Sequence, residues 1–220
     1  MVVTILVWNC DNVNHKWDQL LLLIEEFSPT LIFLQEAKLR RSEITDLNNR
    51  SKDYKFFALL PEDIAPTIKE KLKIATSPVK YGLLIGIRRE DNTKVKLYDK
   101  IDNSHFIIER DGLILGNIYM PQRKLLLSKY GDALTSIQSS IDHNGPGKPI
   151  FLAGDWNLGA TQGPGRHILV EEKISQYNLV KIEPDCTTNY NFCGAETRID
   201  YAYHSPNLTV SLEPPHLTHV

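Results

Sequence analysis

Apolar and polar residues follow two alternating patterns along the chain. Short apolar and β-branched runs predict β-strands at 2–9, 31–36, 54–60, 81–87, 94–98, 104–109, 113–119, 150–153, 180–182 and 198–204. Stretches with apolar residues every three or four positions predict helices at 17–27, 42–48 and 122–142, and another that ends near 177. We expect 61–78 to be a loop. Strands interrupted by amphipathic helices favour two packed β-sheets with helices outside.

Polar side chains stand at the ends of four of these predicted strands. They are Asn9, Glu36, the pair Asp155 and Asn157, and Asp200. In an extended segment, residues two apart point to the same side, so the Asp155 and Asn157 side chains are expected to lie together. Each residue alone is also typical of an ordinary turn or strand end. Several carboxylates brought together repel one another, and such groups persist mainly around a cation or a shared proton.

The residue types at these strand ends restrict the metal that they could bind. Carboxylate and amide groups offer oxygen ligands, which suit Mg²⁺, an ion often held by one or two carboxylates plus substrate phosphate. Zinc sites need His or Cys at ligand spacing. Cys186 and Cys193 are seven positions apart, with no accompanying pair of spaced histidines. The sequence therefore favours magnesium over zinc.

Five short motifs occur along the chain in a characteristic order. They are Trp8-Asn9, Leu34-Gln35-Glu36-Ala37-Lys38, Asn117-Ile118-Tyr119-Met120-Pro121, Gly154-Asp155-Trp156-Asn157 and Arg198-Ile199-Asp200-Tyr201. In these motifs the chain resembles the endonuclease/exonuclease/phosphatase superfamily over essentially its whole length. Within it, the chain is most similar to the AP-endonuclease-like domains of LINE-type retrotransposons. The resemblance implies an α/β, deoxyribonuclease I-like fold, a four-layered sandwich of two mixed β-sheets flanked by helices. Residues 1–220 would form one such domain, either complete or cut from a longer polyprotein.

The resemblance also implies a role for each polar residue. Glu36 would be the principal Mg²⁺ ligand, with Asn9 beside it on the metal or the phosphate and Mn²⁺ able to substitute. Asp155 would be the proton-transfer carboxylate. Asn157 would orient a phosphate oxygen or Asp155, and Tyr119 would hydrogen-bond the scissile phosphate. No small organic cofactor is implied.

The C-terminal end departs from the family pattern. Asp200 would pair with a histidine near the C-terminus, and His219 fits the expected spacing better than His216 does. With that alignment, Thr218 replaces the acid that normally precedes the histidine and supports the metal site. A terminal residue with no role is the alternative for His219.

The charge of the chain is close to neutral, with a formal net charge of −2. A nucleic-acid-binding chain of this charge has to concentrate its cations on one face. The expected phosphate-binding or DNA-binding residues are Lys38, Arg40, Arg123, Lys124 and Arg198. Solvated loop charge is an equal alternative for each.

These observations leave three functions open. The leading one is a magnesium-dependent endonuclease that nicks DNA and leaves a 3′-hydroxyl, as the target-nicking domain of a retrotransposon with a reverse transcriptase in the same polyprotein. The second is a phosphoesterase acting on abasic-site DNA, nucleotides, or inositol or sphingolipids. The third is a catalytically weakened nucleic-acid-binding module.

Composition adds a broad cellular setting. Three cysteines make no disulfide framework in a chain of 220 residues, which favours a reduced intracellular compartment, the nucleus if the chain derives from a retrotransposon. No apolar run approaches the roughly 20 residues that span a bilayer, so no membrane partner is expected.

Overall fold

The computed structural model of the protein describes residues 2–60, 82–91, 93–98, 104–121, 127–158, 164–182, 189–190, 196–197 and 200–211. The first half of these residues forms β1 (Ile5–Asn9), α1 (Trp17–Phe27), β2 (Leu31–Gln35), α2 (Arg41–Arg50), β3 (Tyr54–Leu59), β4 (Leu83–Arg88), β5 (Val95–Leu97) and β6 (His105–Arg110). The second half forms β7 (Leu113–Tyr119), α3 (Leu127–Asn144), β8 (Ile150–Asp155), α4 (Pro164–Ile174), a 3₁₀ turn (Ser175–Tyr177), β9 (Val180–Ile182), β10 (Asn189–Tyr190), β11 (Glu196–Thr197) and β12 (Asp200–His204).

The longer strands form two mixed sheets. The first has the order β1-β2-β4-β3, in which β1 and β2 are parallel and the other pairs antiparallel. The second has the order β5-β6-β7-β8-β12-β9, in which β7 and β8 are parallel and the other pairs antiparallel. Strands β10 and β11 pair separately. Two mixed sheets flanked by helices confirm the expected fold class.

Three apolar cores separate the layers. Strand β2 is buried at all five positions because both of its faces are covered. Leu31 and Phe33 join the core between the two sheets, whereas Ile32 and Leu34 join the core between the first sheet and α1 and α2. A third core packs the second sheet against α3 and α4. The order of layers is therefore helices, sheet, sheet, helices.

Most predicted elements are present, with some differences at their ends. Strand β1 begins at Ile5 rather than at Val2, which is 90% exposed. Leu21 in α1 is apolar but 45% exposed, because one residue of helix turns it about 100° from the fully buried Leu20. The predicted loop at 61–78 and the predicted start of the long helix at 122–126 lie outside the described residues.

The strand directions bring the polar strand ends to one edge of the molecule. The parallel pairs β1–β2 and β7–β8 end at this edge, and β12 begins there because it runs antiparallel to β8. Contacts between β1 and β8 hold the two sheets together at the edge. Sites on layered α/β folds commonly lie at the carboxyl ends of strands.

Candidate active site

The amide of Asn9 joins two carboxylates that belong to different sheets. Its Nδ2 donates to Glu36 Oε1 at 3.1 Å and to Asp155 Oδ2 at 3.0 Å. Glu36 follows β2 in the first sheet, and Asp155 ends β8 in the second. The Asn9 side chain therefore presents its nitrogen to both acids and sets their spacing.

Glu36 lies on the accessible side of this cluster. Its backbone has the left-handed φ of 50°, which turns the chain away from β2 directly after Gln35. Its Oε1 also accepts a hydrogen bond from the Tyr119 hydroxyl at 3.0 Å. Its Oε2 lies 3.6 Å from the Lys38 ammonium, which forms a further ion pair with Asp11. One Glu36 oxygen is thus held by neutral donors, and the other faces a cation.

Asp155 lies on the buried side of the cluster and is 2% exposed. The glycine before it allows a close approach of β7 to β8, since a Cβ on Gly154 would lie 2.1 Å from the Ile118 carbonyl oxygen. Burial raises the pKa of Asp155 to about 8, and the Asp200 carboxylate facing it across the β8–β12 pair adds to the rise. N–H donors from Asn157 and Asn9 oppose that rise.

Asn157 lies next to Asp155 through a different geometry from the expected extended one. The strand ends at Asp155, and Asn157 has the left-handed φ of 49°, which is incompatible with an extended strand. Its backbone N–H donates to Asp155 Oδ1 at 2.9 Å, and its side-chain Nδ2 donates to the Met120 carbonyl at 2.8 Å. The two residues are in contact through the Asn157 backbone, whereas the expected contact between their side chains is replaced by the bond from the Asn157 side chain to Met120.

A buried hydrogen bond joins the two sheets behind the cluster. Gln35 Nε2 donates to Asn117 Oδ1 at 2.6 Å, and both residues are fully buried. Asn117 Nδ2 in turn donates to the carbonyls of Leu34 and Leu84 in the first sheet. Gln35 precedes Glu36, and Asn117 lies two residues before Tyr119. The bridge therefore fixes the strands that carry two of the clustered side chains.

The structure brings together seven of the residues singled out from the sequence. These are Asn9, Glu36, Lys38, Tyr119, Asp155, Asn157 and Asp200. Arg40 is exposed at the start of α2, where its backbone N–H donates to Glu43. The positions of Arg123, Lys124, Arg198 and His219 lie outside the described residues.

Sequence reasoning missed three polar residues at this edge. Asp11 is two positions beyond Asn9, in the polar turn that follows β1, and that spacing was a usable signal. Asn117 has the same two-residue relation to Tyr119, which indicates a common face of β7. Gln35 gave no comparable local signal, because its partner is 82 residues away.

The residues at the cluster fit a hard divalent cation. The atoms that could bind such an ion are carboxylate oxygens, because Asn9 turns its Nδ2 towards both acids, and Glu36 Oε2 lies 3.6 Å from the Lys38 ammonium. Within the described ranges, no group of three or more His, Cys, Asp or Glu side chains is arranged to hold a metal ion. An ion that keeps several waters and takes one or two carboxylates suits such an open donor set.

The sequence was compared with family models, curated proteins and solved structures. The model described as the Endonuclease/Exonuclease/phosphatase family matches residues 6–218. The chain belongs to this family. Comparison with curated proteins gave no significant match.

Within the part of the chain described, no helix is long and apolar enough to cross a bilayer.

Two solved structures share the family fold at low sequence identity. The 3′ phosphatase NExo from Neisseria, bound to a product DNA hairpin, has a TM-score of 0.64 and 13% identity over 93% of this chain and 87% of that one. The AP endonuclease LMAP from Leishmania major has a TM-score of 0.66 and 14% identity over 93% of this chain and 79% of that one. These likenesses show the fold.

Proposed function

We propose that the protein is a magnesium-dependent endonuclease that hydrolyses DNA phosphodiester bonds and leaves a 3′-hydroxyl. The observation that carries the proposal is the amide of Asn9 held between Glu36 and Asp155, which places an accessible acid and a buried acid of two sheets in one cluster. Family membership supports hydrolysis of phosphate esters. The accessible and buried environments suit two different tasks in that chemistry.

Each clustered side chain has a definite task in this proposal. Glu36, with Asn9 beside it, would hold the divalent ion, which when bound neutralises charge on the phosphate. The Tyr119 hydroxyl would donate a hydrogen bond to an oxygen of the scissile phosphate. Asp155 accepts a proton from the attacking water, because its buried carboxylate binds a proton more readily than an exposed one. Asn157 orients Asp155 through its backbone N–H.

Asp200 completes the proton-handling side of the site. It faces Asp155 across the β8–β12 pair. We place His219 beside it, where Asp200 would fix the imidazole tautomer and favour the imidazolium next to the developing negative charge. Thr218→Asp is expected to raise the nicking rate if the alignment at this end is right. An unchanged or lower rate would contradict that alignment.

The finer assignment is a LINE-type retrotransposon domain that nicks its target. It rests on the sequences Gln-Glu-Ala-Lys and Thr-Arg-Ile-Asp-Tyr within the motifs. In that setting residues 1–220 are one domain, DNA is the partner, a reverse transcriptase belongs to the same polyprotein, and the protein works in the nucleus. Lys38, Arg40, Arg123, Lys124 and Arg198 would form its phosphate-binding rim.

Plasmid nicking tests the proposal. Supercoiled DNA is incubated with the protein in Mg²⁺, in Mn²⁺ and in chelator, and nicked product is then extended by a polymerase without prior end repair. We expect metal-dependent nicks that are extended directly, and loss of nicking in Asp155→Ala and Glu36→Ala. Asp111→Ala, at the exposed hairpin turn, is the control and should nick normally. Nicking that persists in both site variants would refute the assignment.

A second candidate function is removal of phosphate from DNA 3′ ends. The structural likeness to a 3′ phosphatase bound to a DNA hairpin favours including it. A panel of 3′-phosphorylated oligonucleotides, abasic-site duplexes, nucleotides and inositol phosphates separates the candidates. If inorganic phosphate is released from the 3′-phosphorylated oligonucleotides faster than the plasmid is nicked, the phosphatase is favoured. DNA binding without turnover on any substrate would favour a binding module.

A further inference from the structure

A buried arginine in α4 contacts the backbone beside the candidate active site. Arg166 is 4% exposed. Its Nη1 donates to the Pro121 carbonyl at 2.7 Å and lies 3.5 Å from the Asn157 carbonyl. Pro121 follows β7, and Asn157 follows β8. We call residues 119–121, where the chain leaves β7, the β7 exit, and residues 155–158, where it leaves β8, the β8 exit. One guanidinium therefore contacts both exits.

A tyrosine in α3 supports this arginine and contacts the same backbone. The Arg166 guanidinium stacks over the Tyr130 ring, with its carbon 4.6 Å from the ring centroid. Such stacking suits the planar guanidinium and stabilises it where water is excluded. The Tyr130 hydroxyl donates to the Trp156 carbonyl at 2.7 Å. Two side chains from two helices thus satisfy three backbone carbonyls at the two exits.

The two exits also contact each other directly. The Met120 N–H donates to the Asp155 carbonyl, and the Asn157 side chain donates to the Met120 carbonyl, both at 2.8 Å. Tyr119 and Asp155 begin these exits. A displacement of about 1 Å can cost about 10²-fold in rate. The positions of the Tyr119 and Asp155 side chains therefore depend on how firmly the two exits are held.

The burial of Arg166 is informative because it is costly. Removing a charged group from water is unfavourable unless hydrogen bonds replace the lost hydration. An apolar side chain of similar length would fill the same space without that cost. A function that needs hydrogen bonds to Pro121 and Asn157 accounts for an arginine here.

We propose that Arg166 is a positioning residue for the active site, which locks the β7 and β8 exits together from its platform on Tyr130. It acts through Tyr119 and Asp155 and does not bind DNA. Its effect on catalysis rests on the proposed endonuclease function, whereas its effect on the backbone does not. The experiment therefore has one arm for each.

Amide hydrogen exchange tests the backbone arm. The Met120 and Asn157 amides report on the exits, because both donate to Asp155. In Arg166→Met we expect both to exchange at least about tenfold faster. The Leu31 amide, which donates to Thr4 at the opposite edge, should be unchanged.

Arg89→Met, at an exposed arginine, is the control for this arm. Arg89 likewise donates to two backbone carbonyls, those of Asn48 and Ser51, but at the far edge of the first sheet. It should leave the Met120 and Asn157 amides as in the wild type. Unchanged exchange at both exits in Arg166→Met would overturn the proposal.

Plasmid-nicking kinetics test the catalytic arm. Arg166→Met should lower kcat about 10–100-fold, as is usual for residues that support a catalytic group, with KM for DNA within about threefold of wild type. Arg166→Lys keeps the charge but loses the planar fork, so we expect only partial recovery of kcat. A raised KM with unchanged kcat would make Arg166 a DNA-binding residue and overturn the proposal.

The two arms distinguish the possible failures. If the wild type nicks no DNA, the proposed function fails, and the exchange arm alone decides the role of Arg166. If Arg166→Met does not fold, Tyr130→Phe replaces it, because it removes only the bond to the Trp156 carbonyl. Tyr130→Phe should speed exchange at Asn157 more than at Met120. If the Met120 and Asn157 amides each exchange in Tyr130→Phe as they do in the wild type, that result would contradict the proposal.

Discussion

Glu36 and Asp155 share the amide of one asparagine, yet their surroundings are opposite. The Glu36 side chain is 15% exposed and faces the Lys38 ammonium. Asp155 is 2% exposed, and a second acid, Asp200, is its cross-strand neighbour. An accessible acid is suited to contact a cation, whereas a buried acid near another acid holds a proton more readily. This difference in environment is why we propose that Glu36 contacts the cation and Asp155 handles the proton.

The largest expected effect concerns the buried acid. Asp155→Asn keeps the shape of the side chain and an acceptor for the Asn157 N–H, but removes the base. We expect the nicking rate to fall by about 10²–10⁴-fold, as is typical for general acid–base groups. Added Mg²⁺ should not restore it, since we propose that the metal binds on the Glu36 side of the cluster. Recovery at high Mg²⁺ would contradict the division of roles.

The accessible acid should behave differently under the same titration. Glu36→Gln removes one charge from the cation side, so we expect about 10²-fold less nicking at low Mg²⁺. Raising the Mg²⁺ concentration should recover part of that loss, because the defect is in ion affinity. A Mg²⁺ midpoint equal to that of the wild type would show that Glu36 is not the main ligand.

A smaller effect is expected on stability, with a definite pH dependence. Folding raises the pKa of Asp155 from its usual value of about 4, so the folded state favours the protonated acid. Stability is then lost as the pH rises from about 4 towards 8. Asp155→Asn carries no such cost. In metal-free buffer its Tm should exceed that of the wild type at pH 8.

The gap between these two melting curves should shrink as the pH falls towards about 4. Each kcal/mol corresponds to roughly 2–4 °C for a chain of this size. Differential scanning fluorimetry across that pH range measures the gap. A wild type that is the more stable protein at pH 8 would contradict the burial cost assigned to Asp155.

The smallest expected signal comes from a thiol next to Asn9. Cys10 is 1% exposed and its Sγ donates to the Gln35 carbonyl, while burial raises its pKa to about 12. The neutral, covered thiol should resist iodoacetamide in the native protein and react once the chain is unfolded in denaturant. Peptide mapping by mass spectrometry measures the label at Cys10. Rapid native labelling would mean that the edge opens on the Glu36 side.

Local pattern was sufficient to predict the elements and several side chains at their ends. Apolar runs marked β2 and β8, and the polar residues after them indicated Glu36 and Asp155. These signals lie within a few residues of one another, so a single sequence contains them. The alternation of strands and helices indicated two packed sheets with helices outside, whereas the individual roles came from resemblance to a family.

Contacts between distant residues were not predictable in the same way. Asn9 and Asp155 are 146 residues apart, and no local pattern indicates that one amide nitrogen serves two acids. Arg166 stands in an ordinary amphipathic helix, and its partner at Pro121 is 45 residues away. Local pattern can also mislead. Leu21 has the spacing of a core residue but is 45% exposed, because the buried face of α1 is narrower than the set of apolar residues in the helix.

The fully buried hydrogen bond between Gln35 and Asn117 has a consequence for how working variants can be assembled. All strands of the first sheet come from 5–88, and all strands of the second come from 95–204. Each half of the polypeptide therefore supplies an incomplete set of reactive groups, and only docking completes it. Chimeras that exchange one half between relatives should work only where the incoming half brings a side chain that can hydrogen-bond with the retained residue, Gln35 or Asn117.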